Sequence, residues 1–173
     1  MLSRAIILSL CIFTLTSCAV KPKGPSYSEV TLAAKPNQAL VVMYRTLAKP
    51  YSYDVDVLVD EERVEILRDN TFVAFDAAVG KHVIKSDWSV FSGQHDSQIE
   101  LEVTAGEIYY LAVDADTVMS GYSVIPGVTG YVEYDHTSTT TLIDPVKAIT
   151  EIKNCCVKYG INIIDPKSMK KVD

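Results

Sequence analysis

The most reactive neighbours in the sequence are two adjacent cysteines, Cys155 and Cys156. Neighbouring Cα atoms lie about 3.8 Å apart across a trans peptide, below the roughly 4.4 Å that bridged cysteines usually need. On a helix the two thiols would also point about 100° apart. The pattern predicts that Cys156 packs in the core and that Cys155 is a free thiol. An intermolecular disulfide and a metal or redox role are the alternatives.

Two of the three histidines stand beside a carboxylate, in the pairs His95-Asp96 and Asp135-His136. These groups could ligate zinc together if their loops met, but a zinc site needs three or four convergent ligands. His82 follows a glycine-containing turn and is interpreted as structural. We therefore expect no metal site and no cofactor.

Acidic residues cluster at positions 54, 56, 60, 61 and 62. Two of them could serve a hydrolase, and several could ligate calcium. Alternation with apolar neighbours instead places Asp54 and Asp56 on a solvated strand face, and a glycine-containing calcium loop is missing. Ser123 lacks the second glycine of a nucleophile elbow, and the chain has no glycine-rich phosphate loop. The sequence predicts no catalytic residues, and hence a protein that is not an enzyme.

A polar segment at 87–96 carries two large apolar side chains, Trp88 and Phe91, together with His95. Aromatic residues exposed on loops of a rigid sheet are typical anchors for a partner. The alternative is that Trp88 belongs to the preceding strand and is buried under the terminal helix. The sequence thus predicts a partner-binding loop containing Trp88, Phe91 and His95.

The amino-terminal segment 1–17 is typical of a secretory signal, with Arg4 followed by an apolar run at 5–15. A run of about eleven residues is too short to span a bilayer as a helix, which takes about 20. It ends in Leu15-Thr16-Ser17-Cys18, which resembles the lipobox of bacterial lipoproteins. The resemblance implies cleavage between Ser17 and Cys18 and acylation of Cys18.

Ala19 stands where that family's inner-membrane retention signal typically has Asp. The resemblance therefore implies a cell-envelope location, lipid-anchored on the periplasmic face of the outer membrane. The prolines of segment 18–38 indicate a lipid-anchored linker, because proline resists helix formation.

The composition is that of one globular domain, with 173 residues, 48% hydrophobic residues and a net charge of −6. It excludes disordered, collagen-like and coiled-coil chains. The acidic balance argues against nucleic acid as a partner, because phosphate binding needs a basic surface.

A two-residue hydrophobic period dominates from Ala39 onward. Segments 39–44 and 108–113 are apolar on both faces, which favours central strands. The glycine- and proline-containing segment 119–130 is predicted to loop out. Asp144 and Pro145 then predict the start of an amphipathic helix at about 145–159, with Gly160 at its end.

Turn signals every eight to twelve residues predict a mainly β fold, an antiparallel β-sandwich at 39–165 with one C-terminal amphipathic helix. A closed barrel is the alternative, and 166–173 is predicted to be a tail. The strand 41–45, the turn after Val59 and the Gly80-Lys81-His82 sequence resemble a family of small bacterial lipoproteins whose shared domain has no known function. More weakly, they resemble PEGA-type β-modules. The resemblance implies a prealbumin-like or Ig-like sandwich, an envelope location and no catalytic residues.

Together, these features predict a membrane-anchored envelope lipoprotein that acts as a non-enzymatic binding or structural module. Its expected partners are the membrane, through acylated Cys18, and an envelope protein or glycan. The alternative is an enzyme or accessory protein of the periplasm that binds a small molecule or a peptidoglycan fragment.

Overall fold

The structure is a computed structural model that describes residues 22–48, 53–124 and 130–159. The predicted signal peptide 1–17, the cleavage site between Ser17 and Cys18, and the tail 166–173 lie outside the described residues. Within the part of the chain that is described, no helix has both the length and the apolar character needed to cross a membrane.

The described residues form two β-sheets and one α-helix, which confirms a mainly β sandwich. One sheet has the strand order β8-β7-β1-β4-β9, and the other has the order β3-β2-β5-β6. The strands are β1 (Gln38–Arg45), β2 (Val55–Val59), β3 (Glu62–Leu67), β4 (Thr71–Ala78), β5 (Gly80–Trp88), β6 (Ser97–Val103), β7 (Ile108–Ser123), β8 (Tyr131–Ile143) and β9 (Val157–Lys158). The helix α1 (Pro145–Cys155) precedes β9.

The five-stranded sheet is mixed, not antiparallel as the sequence predicted. Strand β1 pairs in parallel with β7, and β4 pairs in parallel with β9. Both pairs join strands distant in the sequence, for which hydrophobic alternation gives no direction. The short turns between consecutive strands allowed only the antiparallel pairs to be predicted.

Strand β1 carries both hydrophobic clusters of the fold, because alternate residues of a strand point to opposite faces. Val41 and Met43 point into the space between the sheets. Val42 and Tyr44 point to the outer face, where Ala148 and Ile152 of α1 cover them together with Cys156, which follows the helix. The apolar segment at 39–44 is thus a central strand, as predicted.

Helix α1 begins where the sequence predicted but ends earlier. The Asp144 carboxylate accepts hydrogen bonds from the backbone N–H groups of Val146 and Lys147 at 3.0 and 3.2 Å, and Pro145 occupies the first turn. At the other end, Cys156 has an extended backbone with φ −121° and ψ 143°. The following residues join the sheet as β9, so the helix does not reach 159 and Gly160 is not its end.

Cys155 and Cys156 are joined in a disulfide, so the prediction of a free thiol at Cys155 is wrong. That prediction assumed that both residues are helical. Because the helix ends between them, the two side chains are not held about 100° apart. Cys156 is buried among the outer core residues, as predicted.

Most of the predicted linker 18–38 packs against the domain. The Pro25 carbonyl accepts a hydrogen bond from the Lys158 backbone N–H at 2.8 Å, and Gly24 lies directly against the Lys158 carbonyl, where a Cβ atom would clash. The Tyr27 hydroxyl is 2.8 Å from that of Tyr110. Four apolar side chains pack against the outer core and hold the segment on the domain: Tyr27, Val30, Leu32 and Ala34. Only residues 19–23 then separate the predicted lipidation site, Cys18, from the first residue that contacts the domain, Gly24.

Candidate functional site

One exposed apolar feature of the described residues is a two-stranded extension of the five-stranded sheet. Strand β1 pairs with β7 as far as Ala112, whereas β7 and β8 pair from Tyr110↔Ile143 to Ser123↔Tyr131. We call residues 114–124 and 130–139 the arm. None of its residues is buried.

The arm corrects the prediction of a loop at 119–130 for residues 119–123, whereas 125–129 lie outside the described residues. Strand β7 continues to Ser123, and the register shifts between Met119 and Gly121. A shift of this kind is a β-bulge, which glycine favours. Gly121, one of the glycines that predicted a loop, marks a bulge within a strand.

One face of the arm is apolar and open. Directly paired residues share a face, and the pairs Met119↔Tyr134 and Tyr122↔Val132 lie on the side that faces the sandwich interior further along the sheet. Three of these side chains are 54–60% exposed, and Val132 is 38% exposed. We call these four residues the apolar face. The other face is more polar and includes Glu133 and Asp135.

The loop 89–96 contacts the base of the arm. The Gln94 side-chain amide donates to the Asp116 carbonyl at 3.1 Å and to the Thr117 hydroxyl at 2.9 Å. Gly93 lies against the His136 ring, where a Cβ atom would be 3.2 Å from the imidazole, and its φ of 75° also favours glycine. The loop and the arm are therefore held together.

The predicted binding residues of this loop separate into two groups. Phe91 is 83% exposed, and His95 is also exposed. Trp88 is only 4% exposed, so the prediction that it anchors a partner at the surface is wrong. Its ring packs in the core because it ends strand β5, and its indole N–H donates to the Ser138 hydroxyl at 2.8 Å.

Hydroxyl groups tie the arm's base to the second sheet. Thr140 in β8 lies 2.7 Å from Ser86 in β5 and 2.8 Å from Ser97 in β6, measured between side-chain oxygens. Ser97 also contacts Ser138 at 3.0 Å. Side-chain hydroxyls can donate and accept at once, so the four groups satisfy one another in a partly buried seam. This seam fixes the position from which the arm projects.

A fully buried arginine, Arg45, packs against the Trp88 ring. Its guanidinium lies 4.6 Å from the centre of the Trp88 ring and 3.0 Å from the Asp69 carboxylate. It also donates to the carbonyls of Ala48 and Tyr53 at 2.8 and 2.6 Å. Burial raises the pKa of the Asp69 carboxyl to about 6, although Arg45 acts in the opposite direction. The cluster is structural, because its donors point at protein groups.

An acidic cavity of about 320 Å³ lies beside Trp88 and is lined in part by Asp54, Asp56 and Asp87. Each carboxylate is paired with a cation. Arg68 lies 2.9 Å from Asp54, and Arg63 lies 2.7 Å from Asp56. Lys85 lies 2.8 Å from Asp87. Asp54 and Asp56 are partly exposed, as the alternation predicted, and the paired charges leave little attraction for a further cation.

His82 joins two turns and is unsuited to act as a base. Its Nδ1 lies 2.6 Å from the Asp60 carboxylate, and its Nε2 lies 2.7 Å from the Ala78 carbonyl. Both partners accept hydrogen bonds, so this geometry favours the protonated ring, in which both nitrogens donate. The hydrogen bond to Asp60 accordingly raises the pKa of His82. Among the residues described, no three His, Cys, Asp or Glu side chains converge as metal ligands would.

The charges of the chain are unevenly distributed along its length. Between Ser86 and Val146 there is no Lys or Arg, although the whole chain has 16, whereas ten of its 22 acidic residues lie there. This stretch includes the loop 89–96, β6 and the whole arm. The arm itself carries Asp114, Asp116, Glu133 and Asp135. Sequence reasoning missed this acidic stretch, although the distribution of Lys and Arg along the chain shows it.

No protein-family model, no curated protein and no solved structure matches this chain.

Proposed function

We propose that this protein is a lipid-anchored bacterial envelope protein whose β-sandwich is a non-enzymatic binding module, with the arm as its contact surface. The exposed apolar face of the arm carries the proposal. Exposed apolar side chains grouped on one surface are typical of interaction sites, whereas single ones need no explanation. Phe91 is a second exposed apolar group, in the loop that contacts the base of the arm.

The anchor supports the same proposal. The lipobox sequence Leu15-Thr16-Ser17-Cys18 favours acylation of Cys18, and Ala19 favours the periplasmic face of the outer membrane. Because the chain contacts the domain from Gly24 onward, the tether 18–23 spans at most about 20 Å. An anchored domain would therefore lie close to the bilayer.

The arm lies at the opposite edge of the sheet from this tether. The amino-terminal segment contacts β9 through Ser26 and Val157, whereas the arm belongs to β7 and β8. Strands in a sheet lie about 4.8 Å apart, so four intervals separate β9 from β8 by about 19 Å. This separation supports a partner other than the anchoring lipid.

We also propose that the sandwich is of the prealbumin-like or Ig-like type, on the basis of its two facing sheets of five and four strands. An experimental structure compared with both types tests this assignment.

Lipid anchoring can be tested on the intact chain in a Gram-negative cell. We expect labelled palmitate to be incorporated into the wild-type protein and not into Cys18→Ser, with Cys11→Ser as the matched control that keeps the label. We expect the wild-type protein in the outer-membrane fraction. Label retained by Cys18→Ser would contradict the proposal.

The binding role can be tested by site-specific photocrosslinking in the same cells. A photoreactive residue at position 119 or 134 should give discrete crosslinked protein bands. The matched control is position 146, because Val146 is 75% exposed but lies on α1. Equal crosslinking at 119 and 146, or none at 119 and 134, would contradict a contact role for the arm.

The cavity beside Trp88 favours a second candidate, the binding of a small molecule or a peptidoglycan fragment. Its volume of about 320 Å³ falls within the range of small ligand pockets. Equilibrium dialysis with a muropeptide should then show binding that Asp56→Asn weakens and Glu61→Gln leaves unchanged.

A further inference from the structure

We infer that the disulfide between Cys155 and Cys156 is a redox site that a dithiol reduces, and that its reduction lets α1 continue into β9 and frees residues 24–26 from the sheet. The co-reactant is defined by its chemistry, as a small dithiol or a protein with a dithiol. The site lies at the sheet edge opposite the arm, and the inference does not depend on the arm's binding role.

The disulfide lies where the helix ends and the strand begins. Cys155 is the last residue of α1, and Cys156 has an extended backbone and leads into Val157 of β9. In a continuing helix the two side chains would point about 100° apart, so the S–S bond and a helical Cys156 exclude each other. The bond therefore holds the chain in the form in which α1 ends at Cys155.

Without the bond, the sequence favours a longer helix. Ile152, Cys156 and Tyr159 follow one another at helical spacings of four and three residues, so the apolar side of α1 continues past its present end. Gly160 then stands where a helix commonly ends. The helix and the strand are thus alternative forms of the same residues.

The two forms exchange one set of backbone hydrogen bonds for another. In the strand, three consecutive N–H groups donate to carbonyls of other segments: Val157 to Asn70 at 3.2 Å, Lys158 to Pro25 at 2.8 Å and Tyr159 to Phe72 at 2.8 Å. In a longer helix they would donate to the last carbonyls of α1, which have no partner within the present helix. The Tyr159 ring, 4.6 Å from the Arg68 guanidinium, favours the strand, and the apolar side of α1 favours the helix. The disulfide therefore decides between them.

The first residues of the amino-terminal segment depend on β9. Three contacts hold them: Pro25 accepts from the Lys158 N–H, Ser26 forms a bridge with Val157, and Gly24 lies against the Lys158 carbonyl. The next contact along the chain is that of the Tyr27 hydroxyl with Tyr110. Release of residues 24–26 would therefore lengthen the tether by three residues, at most about 10 Å.

The two sulfur atoms differ in access, and this difference sets the order of the exchange. Cys155 is partly exposed, whereas Cys156 is 5% exposed. A thiolate of the dithiol attacks Cys155 Sγ and forms a mixed disulfide, and the electron pair of the broken S–S bond passes to Cys156 Sγ, which takes up a proton. The second thiolate of the reductant then breaks the mixed disulfide, and Cys155 Sγ takes up a proton. The protein gains two electrons and two protons, and the dithiol becomes a disulfide.

The buried sulfur has a hydrogen-bond acceptor for its reduced form. The Arg45 backbone carbonyl lies 3.6 Å from Cys156 Sγ and can accept an S–H that exists only after reduction. A disulfide between neighbours also closes the shortest possible loop, so it constrains the unfolded chain less than one between distant residues. These observations favour a redox role over a role in stability.

Reduction can be tested on the intact purified protein with dithiothreitol at neutral pH and without denaturant. After removal of the reductant and alkylation with iodoacetamide in denaturant, we expect two labels on the tryptic peptide 154–158, and none without dithiothreitol. Labels on this peptide before reduction, or reduction that requires a denaturant, would overturn the inference.

The change of conformation can be followed by NMR spectroscopy and limited trypsin digestion. On reduction, the Cα chemical shifts of Val157 and Lys158 should change from strand to helix values. Cleavage after Lys23 should become about tenfold faster, because proteases cut locally opened segments. Cleavage after Arg63, in β3 of the other sheet, is the control and should keep its rate.

A variant separates the loss of the bond from other effects of the reductant. Cys155→Ser should show the helix shifts and the fast cleavage without dithiothreitol, which should then change neither. Asn154→Ser, at an exposed position beside the pair, keeps the disulfide and should behave as the wild type. If Cys155→Ser does not fold, the reduced wild-type protein decides alone. Strand shifts that persist after complete reduction, or equal acceleration after Lys23 and Arg63, would contradict a change confined to this edge of the sheet.

Discussion

The body of the sandwich and its arm are built from the same five-stranded sheet but differ in what covers them. In β1, seven of eight residues are buried, because the second sheet covers one face and α1 with the amino-terminal segment covers the other. In the arm, no residue is buried, although β7 runs continuously through both regions. Alternating side chains therefore become core only where another layer lies above them.

The largest loss of stability is expected when a buried charge in the body loses its ion-pair partner. Arg45→Met should lower the free energy of unfolding by about 3 kcal/mol, because the Asp69 carboxyl would stay buried without its cation. Denaturant unfolding measures this change. The matched control is Arg68→Met, whose partly exposed ion pair with Asp54 should contribute at most about 1 kcal/mol. Equal losses in the two variants would show that burial of Arg45 has no energetic consequence.

A second substitution should displace the amino-terminal segment that packs on the body. Gly24→Ala places a methyl group against the Lys158 carbonyl, so the amino-terminal segment must move away from β9. We expect a loss of about 1 to 3 kcal/mol, as for other overpacked sites, and faster proteolytic cleavage near Ser26. Lys23→Ala is the control, since Lys23 is exposed. Unchanged cleavage in Gly24→Ala would mean that the segment is not held by this contact.

A smaller effect on stability is expected at His82, which contacts Asp60 in one turn of the body and the Ala78 carbonyl in another. The pKa of His82 is raised in the folded state, so its stabilisation is fully present below its ordinary pKa of 6.5 and is lost as the pH rises through the higher folded value. The pKa of Asp60 is lowered, so its contribution is present above its ordinary 3.8 and is lost as the pH falls through the lower folded value. Unfolding at several pH values should show stability declining above about pH 6.5.

His82→Asn should remove this decline. Asp60→Asn should remove most of it as well, and asparagine tolerates the positive φ of 50° at this position. A decline that persists in both variants would assign it to other groups.

The body could be predicted from the sequence because its signals are local. Alternation identified most strands, and Asp144 with Pro145 identified the start of α1. The parallel pairing of β1 with β7 could not be predicted, because it joins residues about 70 positions apart and no turn fixes its direction. The packing of segment 22–37 was missed because its prolines, which disfavour an α-helix, do not exclude docking on a sheet edge.

The arm was harder to predict than the body. Serine and glycine at 120–121 mark a bulge within a strand as readily as a loop, and only the partner strand distinguishes the two. Trp88 was misassigned for a related reason, since its burial depends on Arg45 and Ser138, neither of which is near it in the sequence. Phe91 and His95 were placed at the surface correctly, whereas their contact with a partner stays a prediction.

The smallest change in stability is expected in the arm itself. Met119→Ser with Tyr134→Ser should alter the free energy of unfolding by less than about 0.5 kcal/mol, because both side chains already face solvent. The body control is Val41→Ser, a fully buried position in β1 where the loss should be several kcal/mol. Large destabilisation by the arm variant would mean that the face is covered within the folded chain. A negligible change, together with crosslinks formed from positions 119 and 134 in cells, would mean that the apolar side chains serve an interaction, since the fold does not require them.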